Sequence, residues 1–226
     1  MYSVYPFKQY DCLWCQKDMK YHQDLLHILI NTDVICDECR MKLKSCYNRF
    51  MVQDLSCVGW YVYDGMVKDV LLQYKEFMDE ALFPVFLYPY IQYIRKRYQG
   101  YTLVILPSSE KAYQRRGFSH VEKMFSVLGM HMISPFVKDN VEQKYRSVKE
   151  REYIDMHLVD SLPRTPLLLV DDMCTTGSTL LAAYNLVKNH PYKVEAMVCC
   201  YHAKYVEIRR WKKFVNCLFR IYTQVV

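Results

Sequence analysis

From residue 57 onward, short apolar runs alternate with segments whose apolar residues recur every three or four positions, a pattern that predicts strands and helices in turn. The run CVGWYVY (57–63) is apolar, aromatic and β-favouring, and Asp64-Gly65 closes it. The segment MVKDVLLQYK that follows has helical periodicity. A second helix is predicted over much of 78–97, interrupted near Pro84 and Pro89, because proline removes a helix hydrogen bond. YTLVIL (101–106) reads as a buried strand ending at Pro107, FSHVEKMFSVLG as a short helix, MHMISPFV and PLLLV as strands, GSTLLAAYNLVKN as a helix and KVEAMVCC as a strand. Such an order predicts an α/β domain with a mainly parallel sheet and flanking helices.

The first fifty residues lack this alternation and carry a different signal. Cys12-Leu-Trp-Cys15 and Cys36-Asp-Glu-Cys39 are two CxxC pairs twenty residues apart, a spacing suited to a tetrathiolate zinc site. Four sulfur ligands leave no open position for water, so such a site is structural and would let a small segment fold around a thin core. The alternative reading is a redox pair or buried thiols. The expected organisation is a zinc-finger-like module at 1–50 and a larger α/β domain at 51–226.

Composition narrows this only slightly. A chain of 226 residues with 52% hydrophobic content can bury a real core. The net charge of +6 suits a polyanionic partner or a phosphate-rich ligand without requiring either. The start, MYSVYPFKQY, has no signal-peptide pattern, and no apolar run reaches the ~20 residues needed to cross a bilayer. A cytoplasmic location without membrane insertion is therefore expected, with recruitment to the inner face of the membrane only through partners. The cytosol keeps thiols reduced, which favours metal ligands and core residues over disulfides for the ten cysteines.

The densest chemistry lies in VDDMCTTGSTL (170–180). Asp171 and Asp172 are expected to end the strand LLLV, and Thr175, Thr176, Gly177, Ser178 and Thr179 to form the turn and first turn of the next helix. Backbone donors, hydroxyls and the helix dipole suit a phosphate, while adjacent carboxylates suit a sugar diol or magnesium. A sugar phosphate with magnesium answers both demands; a simple N-cap needs only one such side chain. A P-loop is excluded because GxxxxGK[ST] does not occur.

These residues resemble the phosphoribosyl-pyrophosphate motif of type I phosphoribosyltransferases: apolar residues, two acids, two variable residues, then TTGST. The resemblance implies that the acids face the ribose hydroxyls, that the loop holds the 5′-phosphate, and that magnesium bridges sugar and pyrophosphate. Thr175 stands where several purine salvage members carry a base-contacting aspartate, so no acceptor-base residue is recognisable. A wider resemblance joins the CxxC pairs, Tyr63-Asp64-Gly65…Lys68…Tyr74-Lys75, LPSSEKAYQRRGF, Gln143 with Arg151, and the VDD…TTGST motif. Together they are similar to ComFC-type competence proteins, a type I phosphoribosyltransferase domain with an N-terminal zinc module. Ser119, His120 and Arg146 depart from that pattern, the first two standing where asparagine and glutamine are usual.

The resemblance implies that Ser108 and Ser109, after the strand-ending Pro107, lie where pyrophosphate binds. Arg115 and Arg116 read either as a bidentate phosphate clamp or as an exposed basic loop. Lys68 and Lys75 share a helix face, for phosphate, nucleic acid or solvent alone. YPYIQYIRKRYQGY interleaves aromatics with Arg95, Lys96 and Arg97, as a single-strand stacking surface or as core packing with snorkelling side chains.

Two functions follow from the resemblance. One is an accessory role in natural competence, in DNA uptake and transformation. The chain would then bind single-stranded DNA and a DNA-translocating ATPase of the ComFA type, and carry a site for magnesium with phosphoribosyl pyrophosphate. The alternative is an active phosphoribosyltransferase acting on an unidentified acceptor.

Overall fold

The structure, a computed structural model, describes residues 11–19, 33–108, 110–138 and 156–206. Its frame is a six-stranded sheet built from β1 (Asn48–Val52), β2 (Leu55–Val62), β3 (Thr102–Ile105), β4 (Met132–Ile133), β7 (Leu167–Cys174) and β8 (Val194–Tyr201). The spatial order is β1-β2-β8-β7-β3-β4, parallel throughout except for the hairpin of β1 with β2. The predicted mainly parallel α/β fold is the observed one. Two further strands, β5 (Phe136–Lys138) and β6 (Met156–Leu158), pair antiparallel as a separate ribbon.

Both faces of the sheet are covered, which is why β3, β7 and β8 read as almost unbroken apolar runs. On one face, Val58, Trp60, Leu103, Ile105, Leu168, Val170, Met197 and Cys199 pack against α2 (Gly65–Lys75), α3 (Ile91–Arg97) and α5 (His120–Ser126). On the other, Cys57, Val104, Leu167, Leu169, Ala196 and Val198 meet α6 (Ser178–Val187) and the β5–β6 ribbon.

Several elements depart from expectation for identifiable reasons. The helix expected over much of 78–97 shortens to α3, preceded by 3-10 turns at Glu80–Leu82 and Tyr88–Tyr90. Pro84 and Pro89 interrupt it as expected, and Val85, Phe86 and Leu87 between them are completely buried outside any helix. MHMISPFV divides in two, with Met132–Ile133 staying in the main sheet and Phe136–Lys138 leaving for the ribbon. Pro135 stands at the break, where it has no N–H to give a ladder. The stretch after Pro107 folds as α4 (Glu110–Arg116), a helix without the apolar periodicity that would reveal it. The LLLV strand runs on to Cys174, so Asp171 and Asp172 lie within β7 rather than at its end.

Candidate functional site

The path of the chain explains where this site lies. From β3 the chain moves outward to β4, whereas from β7 it moves the opposite way to β8, and β3 and β7 are hydrogen-bonded neighbours. Opposed crossovers at adjacent parallel strands open a crevice beyond the strands' carboxyl ends, the usual ligand position in open α/β sheets. Pro107-Ser108 leaves β3 there, and β7, with Asp171 and Asp172 in its last residues, passes there into the turn Thr175 to Gly177 and the helix start at Ser178 and Thr179.

Successive side chains of a strand point to opposite faces, and this separates the two acids. Asp172 turns toward the face covered by α2 and α5, where it is buried. Lys75 Nζ, in the last turn of α2, donates to Asp172 Oδ2 at 2.6 Å. His120 Nε2, at the start of α5, lies 3.2 Å from the same oxygen but off the line of a hydrogen bond. Burial alone pushes the Asp172 carboxyl up, but His120 and Lys75 outweigh it and hold the group well below the usual carboxylate range. Asp171 moves the other way: burial, then the charge of Asp172, raise it well above that range, with the Lys138 ammonium opposing. The pair is thus split into a persistent carboxylate and a neighbour inclined to hold a proton.

Behind Asp172 stands a second layer. Arg116, buried at 8% exposure, places Nη1 2.6 Å from His120 Nδ1, and Ser108 Oγ lies 3.3 Å from the same nitrogen. Tyr74 donates its hydroxyl to the His120 carbonyl at 2.6 Å, fixing the backbone there. Ser108 and Arg116 therefore come together with the acids, but through His120. Arg115 instead pairs with Glu76. Ser109, Gln143, Arg146 and Arg151 lie outside the described residues.

The hydroxyl loop follows directly. Thr175 and Thr176 are exposed, Gly177 is the N-cap of α6 with φ of 85°, and Ser178 and Thr179 begin the helix. Thr176 Oγ1 and Ser178 Oγ are 2.7 Å apart, and Ser178 N–H donates to Thr176 Oγ1 at 3.3 Å. Left-handed φ is costly for any residue with a Cβ. A Cβ at Gly177 would also lie 2.4 Å from Val52 Cγ1 of β1. Tyr205 donates its hydroxyl to the Thr176 carbonyl at 2.9 Å, and Asn48 Nδ2 donates to the Tyr205 carbonyl at 2.7 Å. The loop thus rests on the β1 edge of the sheet.

Of the two lysines expected on a common helix face, Lys75 reaches Asp172 and Lys68 is exposed. Lys138 had no sequence signal at all. It lies on the short ribbon, and burial lowers its ammonium while Asp171 and Asp172 oppose that shift.

The four cysteines of the two CxxC pairs converge as their spacing implies. The sulfurs of Cys12, Cys15, Cys36 and Cys39 all lie within 4.8 Å of one another, with Cys15 and Cys36 at 3.7 Å. A tetrahedral tetrathiolate with metal–sulfur bonds of about 2.3 Å separates its sulfurs by about 3.8 Å, so the cluster can hold a metal ion. The backbone N–H groups of Cys15 and Cys36 both approach Cys12 Sγ, at 3.4 and 3.3 Å. From α1 (Asp37–Lys42), Arg40 makes two 2.7 Å bonds to Asp33 and a 2.9 Å bond to the Val85 carbonyl. That guanidinium ties the cysteine segment to the chain beside the sheet, and Val34, Ile35 and Leu43 lie in the same buried cluster as the sheet residues.

The aromatic–basic tract is largely occupied internally. Tyr90 stacks on Trp60, Tyr98 is buried, Tyr101 bonds Glu195, Arg95 donates to the Leu128 carbonyl, and Arg97 pairs with Glu195. Tyr93 and Lys96 remain exposed. Among the described residues no helix is long and apolar enough to cross a membrane.

The chain is 28% identical to the competence protein ComFC of Streptococcus pneumoniae (strain ATCC BAA-255 / R6), over 75% of this chain and 89% of that protein. The resemblance carried by the motifs is met by this relative. Among solved structures, an adenine phosphoribosyltransferase overlaps with a TM-score of 0.42 at 14% identity, covering 74% of this chain and 89% of that one. Adenine phosphoribosyltransferase from Saccharomyces cerevisiae, complexed with an imino-altritol bisphosphate and adenine, gives 0.40 at 15% identity, covering 73% and 86%. The sequence matches no protein-family model.

Proposed function

We propose that this chain is an accessory protein of natural competence whose strand-end crevice binds a phosphorylated ribose, with phosphoribosyl pyrophosphate and magnesium as the fitting ligand. The observation that carries the site is the convergence of split carboxylates and a hydroxyl-rich helix start at one switch point. The phosphate would sit on the loop from Thr175 to Thr179, where helix N–H groups and hydroxyls offer donors. The ribose hydroxyls would face Asp171 and Asp172. Ser108 and Ser109 would border the pyrophosphate. Magnesium, arriving with the ligand, would neutralise the diphosphate charge. The competence role rests on similarity to ComFC, and it brings single-stranded DNA and a ComFA-type DNA-translocating ATPase as proposed partners of a cytoplasmic protein.

The cysteine cluster suits zinc in a structural role, since all four donors are thiolate-forming and none leaves an open position. It would brace the face that docks partners.

One observation favours the second reading, transfer of ribose 5-phosphate to an acceptor. A persistent carboxylate at Asp172, beside the cations Lys75 and Lys138, provides both signs of charge that an oxocarbenium-like sugar and a departing pyrophosphate call for. No protein nucleophile is required. Calorimetry with phosphoribosyl pyrophosphate and magnesium tests the shared premise; saturable binding supports it and no binding removes it. Product analysis with bases and DNA then separates a binding protein from a transferase.

A further inference from the structure

The contact between Arg116 and His120 constrains protons as well as positions. A guanidinium has five N–H donors and no acceptor, and does not lose its proton in proteins. At 2.6 Å from Arg116 Nη1, His120 Nδ1 must accept. The imidazole is therefore neutral, with its proton on Nε2, the nitrogen 3.2 Å from Asp172 Oδ2. The surroundings agree. Burial lowers the imidazole's affinity for a second proton, Lys75 and Arg116 add to that, and only Asp172 opposes. The backbone has little freedom either, because Tyr74 holds the His120 carbonyl and Ser119 caps the helix by accepting from Glu122 N–H.

Two buried N–H groups without an aligned hydrogen-bond partner belong to this same contact, Arg116 Nε and His120 Nε2. Buried polar groups are rarely left so. The His120 proton needs only a small reorientation to align with a carboxylate already within 3.2 Å.

We propose that His120 is a positioning residue of the crevice: a neutral imidazole that accepts from Arg116 at Nδ1 and presents Nε2–H to Asp172, fixing that carboxylate beneath the sugar. A glutamine side chain offers the same pair of functions, a carbonyl oxygen to accept and an amide N–H to donate. The histidine here reproduces that donor and acceptor order. Arg116 thereby serves the ligand indirectly, by setting the tautomer of its neighbour. Ser108 Oγ, 3.3 Å from Nδ1, links the β3 end of the crevice to the same ring. The role given to the sugar rests on the phosphoribosyl reading above, whereas the tautomer does not.

The test has two arms. In the full chain labelled with nitrogen-15 at histidine, long-range proton–nitrogen correlation near neutral pH should show His120 as the Nε2–H tautomer, assigned by its loss in His120→Gln. An Nδ1–H tautomer or an imidazolium overturns the proposal. In calorimetry with phosphoribosyl pyrophosphate and magnesium, His120→Gln should bind within about threefold of the parent, and His120→Leu, which neither accepts nor donates, about tenfold or more weakly. Glutamine as weak as leucine, or leucine as strong as the parent, also overturns it. The nitrogen shifts need no ligand. A parent chain that fails to bind therefore overturns the phosphoribosyl reading, while the shifts still decide the state of His120.

Discussion

Asp171 and Asp172 are adjacent in sequence and opposed in behaviour, and each implies a separate measurement. Asp171 holds its proton above the ordinary carboxylate range because burial and the Asp172 charge disfavour ionisation. A sugar diol is better accepted by the carboxylate than by the acid. Affinity for phosphoribosyl pyrophosphate should therefore rise as pH increases through the raised value and fall below it, and Asp171→Asn should flatten that dependence. For stability the sign reverses: a raised folded value favours the native state at low pH and loses that contribution as pH rises through it. Asp172 has the opposite linkage, its contribution being present above the ordinary carboxylate range and lost as pH falls. Replacing Lys75 with methionine leaves a buried carboxylate with His120 alone, so a loss of roughly 3 kcal/mol is expected in denaturant melts. The acids and loop were legible because their chemistry is packed into eleven consecutive residues. Their partners were not, since Lys75 lies 97 positions from Asp172 and Lys138 has no motif around it.

At the scale of elements, the turn into α6 carries the clearest test. Gly177→Val meets two penalties, a left-handed backbone costing about 1–2 kcal/mol and a Cβ that collides with Val52. It should lower the thermal midpoint as well as phosphate binding. Ser178→Ala removes a hydroxyl without touching the backbone, so it should weaken ligand binding with the midpoint nearly unchanged. Thermal melts beside calorimetry separate the two. Apolar periodicity revealed β2, α2, β7, α6 and β8 because each buries a continuous side against the sheet. It did not reveal α4, because EKAYQRR has no apolar stripe, nor the short β6, which offers only three residues. Pro135 lay in plain view, yet whether a proline ends a strand or redirects it depends on which surface the following residues find.

For the molecule as a whole, the cysteine cluster and the sheet share a core. Val34, Ile35 and Leu43 are buried in the same cluster as Tyr61, Val85 and Phe86, and Arg40 spans the join. Stripping the metal with a chelator should therefore lower the main melting transition rather than add an independent one, and Cys36→Ser should reproduce the effect. Elemental analysis of protein made with ample zinc is expected to give one zinc per chain, and a clearly lower ratio argues against the tetrathiolate.

β1 begins just past the cysteines and ends beneath the hydroxyl loop, with Asn48 holding Tyr205, Tyr205 holding Thr176, and Val52 facing Gly177. A shortened chain starting at residue 51 would lose Asn48, Arg49 and Phe50, three of the five residues of that strand. Deletion of the N-terminal segment would then disturb the floor of the crevice along with the cysteines, so a defect seen in such a truncation would not assign the affected activity to the metal. Point replacement of the cysteines, which leaves β1 in place, is the cleaner way to part the two.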